Sequence, residues 1–121
     1  MKKNKVNIGI VGRGFVGSAV ENGFSNEIEK YNVKAYDVNP EKALDSLESV
    51  VNQSDIVFIS VPTPSFEDGE INLQILNNCL NEISKISTNN ETIFLIRSTV
   101  VPGTSRKFQE KYKNLNLVFN N

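Results

Sequence analysis

Short apolar runs alternate with longer amphipathic segments along the chain of 121 residues. The apolar runs predict five strands, at 5–11, 32–38, 55–61, 91–99 and 115–121. The segments between them carry apolar residues at helical spacing and predict helices within 14–28, 39–54, 72–87 and 100–114. Because a helix separates each strand from the next, consecutive strands are expected to run parallel through right-handed crossovers. The chain is therefore predicted to form an α/β fold, a doubly wound parallel sheet of five strands in the order 3-2-1-4-5 with helices on both faces.

Local capping signals predict where the second of these helices begins. Asn39 follows the second strand and can accept a hydrogen bond from the free amides of a first helical turn. Pro40 suits that first turn, and Glu41 suits the positive end of the helix dipole. The strand that comes next, DIVFISV, is almost continuously apolar, which indicates a strand covered on both faces.

Three glycines, Gly12, Gly14 and Gly17, stand in the segment IVGRGFVGSAV between the first strand and the first helix. In a dinucleotide-binding unit the first glycine allows a tight turn, the second lets the backbone approach a pyrophosphate, and the third lets the helix pack closely on the strand. The helix N-terminus then offers free N–H groups to the diphosphate. The alternative is that these are turn and packing glycines without a ligand. Arg13, inside the loop, either contacts a phosphate or is simply solvated.

An acidic residue, Asp37, stands twenty positions after Gly17, at the end of the second strand. In Rossmann-like sheets an acid at this point hydrogen-bonds the ribose hydroxyls of a dinucleotide, although a turn role ahead of Pro40 would also suit it. A carboxylate there repels a 2′-phosphate, and neither Val38 nor Asn39 supplies an Arg to neutralise one. The loop, helix, strand and acid together predict NAD binding in preference to NADP. A methyltransferase is a less favoured alternative to a dinucleotide-binding unit, because the glycine loop of a methyltransferase usually lacks the third glycine.

Composition argues against several other classes of function. The net charge is −1 and the pI is near 5.5, so no basic field is available to bind nucleic acid. No apolar run approaches the ~20 residues that span a bilayer, so we expect a single cytoplasmic domain over residues 1–121 without a membrane partner. The chain has no histidine and one cysteine, Cys79, so neither an internal disulfide nor a metal site is expected.

Two further motifs follow the third and fourth strands: VPTPSFEDG, from Val61, and IRSTVVPGT, from Ile96. Their Ser and Thr residues could be local caps at strand and helix ends. Together with IGIVGRGFVGSAVENGF and AYDVNPEKA, however, the two motifs resemble the N-terminal domain of the UDP-glucose/GDP-mannose dehydrogenases. The resemblance extends over residues 6–121 and rests on four separate motifs, so it is specific to the family as well as to the fold.

The resemblance implies an NAD-dependent, four-electron oxidation of the 6-hydroxyl of a nucleotide sugar to a carboxylate. Matched position by position, it assigns cofactor binding to Gly12, Gly14, Phe15, Val16, Gly17, Asp37, Val61, Pro62, Thr63, Ser98 and Thr99. It also makes Thr99 the candidate catalytic residue, because the family's Thr at this strand end helps to position an active-site water. A nucleotide sugar would be a partner only where the substrate domain is supplied.

The chain departs from the family pattern at its end, because the family's Asn-Pro-Glu-Phe-Leu-like segment, nucleophilic Cys and substrate domain would follow Asn121. Cys79 does not replace the nucleophile, since its position within a helix predicts packing as a small hydrophobic residue. We therefore expect an incomplete domain that binds NAD and is inactive alone. The sequence leaves open a stand-alone dinucleotide-binding or interaction module, and one half of a split dehydrogenase with a homo-oligomeric or second-chain partner.

Overall fold

A computed structural model describes residues 5–12, 21–26, 30–97, 100 and 102–119. Five parallel strands form one sheet: β1 (Val6–Val11), β2 (Tyr31–Tyr36), β3 (Ile56–Ile59), β4 (Ile93–Ile96) and β5 (Asn116–Phe119). Three helices alternate with them: α1 (Leu47–Asn52), α2 (Gln74–Ile86) and α3 (Pro102–Lys111). Residues 21–25, between β1 and β2, are helical as well. The predicted Rossmann-like, doubly wound parallel sheet is confirmed.

The strands lie in the order β2-β1-β3-β4-β5, which differs from the predicted 3-2-1-4-5 in the position of the third strand. That strand, β3, lies between β1 and β4, and both of its edges are hydrogen-bonded. Val57 and Ile59 in it are fully buried, as a strand inside the sheet requires. β2 takes the edge position, which suits the exposed Asn32 and half-buried Lys34 that it carries.

The helix after β2 begins later than the capping signals at Asn39 predict. The observed N-cap of α1 is Ser46, whose Oγ accepts a hydrogen bond from the backbone N–H of Ser49 at 3.1 Å. The segment in between forms turns along the outer edge of β2. The Asp45 N–H donates to the Ala35 carbonyl at 2.9 Å, and the Ala35 N–H donates to Asp45 Oδ2 at 2.9 Å. These bonds satisfy the backbone of an edge strand, which a helix starting at residue 39 would leave open.

Each face of the sheet carries its own apolar cluster. The larger cluster packs α1, α2 and α3 against one face, around side chains such as Ile59, Leu80 and Phe94. The smaller one lies on the other face, where Phe24 packs against strand residues that include Ile8. Helices therefore cover both faces of the sheet near β1, and the outer strands still expose apolar side chains at positions 93 and 118.

Helix α1 lies close against β1 because the strand has a glycine at the contact. A Cβ at Gly9 would stand 2.6 Å from Ser54 Oγ and 2.8 Å from Val50 Cγ1, closer than side-chain atoms pack. Farther along, Asn52 ties the end of α1 to the end of α2: its Nδ2 donates to the Ile86 carbonyl at 2.9 Å. The two helices are thus held side by side on one face of the sheet.

Candidate functional site

The chain reverses direction across the sheet at β1, since β2 lies on one side of this strand and β3 on the other. In open α/β sheets ligands bind at such a switch point, outside the carboxyl ends of the strands. A cavity of about 640 Å³ opens there, within the size range of cofactor sites. Its walls include Gly12 after β1, Asp37 after β2 and Ser60 after β3.

Gly12 makes the sharp turn at the end of β1. Its φ is +93°, a conformation that L side chains rarely adopt, and a Cβ there would overlap the carbonyl oxygen of Ser60. The Gly12 N–H donates to the Tyr36 carbonyl at 2.8 Å, and the Ser60 N–H donates to the Val11 carbonyl at 2.9 Å. The backbone leaving β1 is therefore held between β2 and β3, and its glycine keeps the bottom of the cavity free of side-chain atoms.

Asp37 lines the cavity directly after β2. Its Oδ1 accepts a hydrogen bond from the Asn39 N–H at 2.9 Å, a local turn of the kind that Asp often forms. The turn holds the carboxylate at the cavity wall, so the turn role and the ligand-binding role considered from the sequence are compatible. A carboxylate in this position can accept hydrogen bonds from the hydroxyl groups of a ligand.

Ser60 offers the cavity a second polar group. Its Oγ is buried and has no hydrogen-bond partner within the part of the chain that the structure describes. A buried hydroxyl without a partner is unfavourable, and a polar ligand in this cavity would supply one. Sequence reasoning did not single out Ser60, although it stands directly before the predicted Val61 segment.

The cavity brings together four of the residues predicted to bind cofactor: Gly12, Asp37, Val61 and Pro62. Thr63 is half-buried and is not among the described residues that line the cavity. The remaining predicted site residues, together with Arg13, lie outside the described residues; they are Gly14, Phe15, Val16, Gly17, Ser98 and Thr99.

Sequence reasoning missed one whole wall of the cavity, which belongs to α2. Ile75, Asn78, Cys79 and Glu82 recur at helical spacing and line the cavity together. This face neighbours the buried stripe that holds α2 on the sheet, and its mixed composition gave no periodic signal. Lys42 and Arg97 also line the cavity, at the turn after β2 and at the end of β4.

Cys79 stands in this wall as a neutral thiol. Burial, with a smaller contribution from the charge of Glu82, raises its pKa from the ordinary value of 9.0 to about 12. The thiolate, which is the nucleophilic form of cysteine, is therefore scarce at neutral pH. Cys79 thus contributes to the cavity as a small hydrophobic residue, in agreement with the packing role predicted from the sequence.

Alkylation tests this state of Cys79. At pH 8 we expect iodoacetamide to modify the folded chain roughly a thousandfold more slowly than the same chain unfolded in guanidinium, because the thiolate fraction falls with the raised pKa. The neutral thiol also stabilises the fold below pH 9, and this contribution is lost as the pH rises from 9 towards 12. Mass spectrometry of the alkylated protein measures the rates, and equal rates in the two states would contradict the assignment.

Comparison with known proteins identifies the family of the chain. The model of the UDP-glucose/GDP-mannose dehydrogenase family, NAD binding domain, matches residues 42–119, more than half of the chain. The chain belongs to this family. Its NAD-binding domain is the part that the chain represents, so NAD is the cofactor of the chain. The match begins after the glycine loop and Asp37, so those features support the same conclusion independently.

Individual relatives are similar to the chain at low identity. An uncharacterised protein of Methanocaldococcus jannaschii is 27% identical over 93% of the chain, which spans 16% of that protein. A UDP-glucose dehydrogenase from Pyrobaculum islandicum is similar in fold, with a TM-score of 0.72, 21% identity, and coverage of 96% of this chain and 35% of its own. A GDP-mannose dehydrogenase from Pseudomonas aeruginosa has a TM-score of 0.73 and 22% identity, and the match covers 93% of this chain and 34% of that protein. The chain therefore spans about a third of these dehydrogenases.

The observed cavity suits the NAD that the family binds. The glycine at position 12 lets a ligand approach the backbone, Asp37 has carboxylate oxygens that accept hydrogen bonds from hydroxyls, and Ser60 has a hydroxyl without a partner among the described residues. Bound NAD supplies one chemical function, acceptance of a hydride at its nicotinamide ring. Over the ranges that the structure describes, no helix is long and apolar enough to cross a membrane, and no cluster of three His, Cys, Asp or Glu side chains could hold a metal ion.

Proposed function

We propose that the chain serves as the NAD-binding domain of a nucleotide-sugar 6-dehydrogenase, of the type that converts the 6-hydroxyl of a UDP- or GDP-sugar to a carboxylate. The observation that carries the proposal is the cavity at the switch point, with the turn at Gly12 on one side and Asp37 on the other. The names of the structurally similar dehydrogenases from Pyrobaculum islandicum and Pseudomonas aeruginosa support the substrate class.

In this proposal each part of the cavity holds a different part of the cofactor. Asp37 accepts hydrogen bonds from the adenosine ribose, and the loop that begins at Gly12 and includes Gly14, Phe15, Val16 and Gly17 binds the pyrophosphate. The segment Val61, Pro62 and Thr63 follows the cofactor towards its nicotinamide end. Ser98 and Thr99 complete the site after β4, and Thr99 helps to position a water at the reacting centre.

We also propose that the 121-residue chain binds NAD without oxidising a substrate. Conversion of an aldehyde to an acid through a thiohemiacetal needs a thiolate, and the one cysteine of the sequence is held as a thiol. The chain spans about a third of the similar dehydrogenases, which leaves the binding of the nucleotide sugar to residues beyond it. This domain supplies the hydride acceptor, and the rest of such an enzyme supplies the nucleophile.

Calorimetric titration of the purified chain tests the proposal. We expect NAD to bind at least about tenfold more tightly than NADP, because the Asp37 carboxylate repels a 2′-phosphate at close range. In a parallel assay, NADH formation with UDP-glucose or GDP-mannose should stay at background. Equal affinity for the two cofactors would refute the role of Asp37. Turnover of either nucleotide sugar would refute the proposal that the chain binds NAD without oxidising a substrate.

A further inference from the structure

The cavity extends from the strand ends into a groove between α1, α2 and the turn after β2. The groove exists because α1 begins only at residue 47, so no helical turn fills the space above Leu47. Both helices run from the carboxyl to the amino end of the sheet, and the Asn52 to Ile86 contact aligns their ends. With a rise of about 1.5 Å per residue, Leu47 lies nearly level with Cys79 and Glu82 on α2. We call this the helix groove; its walls are Val38, Lys42, Leu47, Ile75, Asn78, Cys79 and Glu82.

The helix groove has apolar surface that is unusually open to solvent. Val38 is 85% exposed and Ile75 is 43% exposed, although both line a cavity. Exposed apolar side chains in a cavity wall are suited to cover a flat ring. On the proposed function, with the ribose at Asp37 and the diphosphate at the Gly12 turn, the purine attached to that ribose extends away from Gly12. The helix groove is the part of the cavity that lies in this direction.

Helix α2 supplies the carboxylate with which the helix groove can distinguish one base from another. We propose that Glu82 accepts a hydrogen bond from the 6-amino group of the adenine and so selects adenine over a 6-oxopurine. A carboxylate only accepts hydrogen bonds, and the adenine amino group only donates them. Hypoxanthine has an acceptor, its 6-oxo group, at this position and a donor, N1–H, on the neighbouring ring atom. A carboxylate opposite the 6-position therefore meets the acceptor, which is unfavourable.

The two neighbours of Glu82 in the helix groove cannot make this distinction. The amide of Asn78 can rotate to present either its donor or its acceptor, so it accommodates both bases. Cys79 stays a neutral thiol, in part because the charge of Glu82 is near it. Glu82 lies three residues after Cys79 on α2, and both residues line the groove. Among the α2 residues of the groove, Glu82 is therefore the one whose chemistry favours adenine.

Titration of the 121-residue chain with NAD and with nicotinamide hypoxanthine dinucleotide tests the inference. The two ligands differ only in the base, and one hydrogen bond of ordinary strength predicts about three- to tenfold tighter binding of NAD. In Glu82→Gln the side-chain amide can donate to the 6-oxo group, so we expect the ratio of affinities to fall to about one or to reverse. Glu67→Gln, an exposed change at a residue that does not line the cavity, should keep the wild-type ratio.

The outcomes separate this inference from the function on which it rests. Tight binding of both dinucleotides with equal affinity, or a preference that Glu82→Gln leaves intact, overturns the role of Glu82 and retains NAD binding. Absence of binding by either dinucleotide overturns both proposals. AMP and IMP repeat the comparison without the nicotinamide half, and a preference for AMP that disappears in Glu82→Gln supports recognition of the base itself.

Discussion

Substitution of Gly12 by alanine should lower the free energy of unfolding by about 3 kcal/mol, from a left-handed backbone conformation and an overpacked contact together. The residue has a φ of +93°, and its added Cβ would overlap the backbone carbonyl of Ser60. That carbonyl belongs to the segment after β3, so relief of the overlap must move one wall of the cavity. We therefore expect NAD binding to fall as well, below the limit of calorimetric detection.

A second glycine provides a matched control for this substitution. Gly69 has a φ of +92°, almost the same as Gly12, and a Cβ there would meet no atom within 4 Å. Gly69→Ala therefore carries the conformational cost alone, about 1 to 2 kcal/mol, and should leave NAD affinity unchanged. Urea denaturation of both variants isolates the cost of the overlap as their difference. Equal losses of stability would mean that the close approach to Ser60 is unimportant.

The strands could be predicted from the sequence because their burial is a local property of the chain. Four of the observed strands fall within a predicted apolar run, and β2 begins one residue before its run, at Tyr31. The ends differ because terminal residues contribute little to an apolar pattern. Strand order depends instead on which strands are hydrogen-bonded to a neighbouring strand along both edges. The burial of Val57 and Ile59 fixes β3 beside β1, and this packing involves residues distant in sequence.

The start of α1 shows why capping signals alone mislead. The Oδ1 of Asn39 does accept a backbone hydrogen bond, from the Glu41 N–H at 3.0 Å, but the bond closes a turn and no helix follows. The same side-chain chemistry serves both structures, so the sequence does not distinguish them. The choice depends on Ala35, whose outward-facing backbone groups bond to Asp45 at the edge of the sheet.

The residues of the candidate site also form two groups, those that the sequence predicts and those that it does not. Gly12 and Asp37 could be placed at the cavity from the sequence because a glycine after the first strand and an acid after the second follow a known spacing. Ser60 and Glu82 could not, since a serine after a strand and a glutamate on an exposed helix face are common in any soluble domain. Their importance depends on the late start of α1 and on the length of the loop before α2, which together shape the helix groove.

Asp37→Ala should weaken NAD binding by at least about tenfold, because hydrogen bonds from hydroxyls to a charged group contribute about 1.5 to 3 kcal/mol. NADP binding should change much less, since the lost ribose contact is offset by removal of the repulsion between the carboxylate and the 2′-phosphate. The preference for NAD over NADP should therefore fall to about one. Calorimetric titration of each variant with both cofactors measures this ratio.

The control for Asp37→Ala must account for the turn that Asp37 also makes. Asp68 accepts a hydrogen bond from the N–H two residues later at 3.0 Å, as Asp37 does at 2.9 Å, and it does not line the cavity. Asp68→Ala therefore removes the same kind of turn bond and should leave both affinities unchanged. Asp37→Asn keeps the turn acceptor and removes the charge, so it should weaken NAD less than Asp37→Ala while still improving NADP. If Asp37→Asn leaves the cofactor preference intact, the charge of Asp37 does not determine it, and selection must lie elsewhere in the cavity.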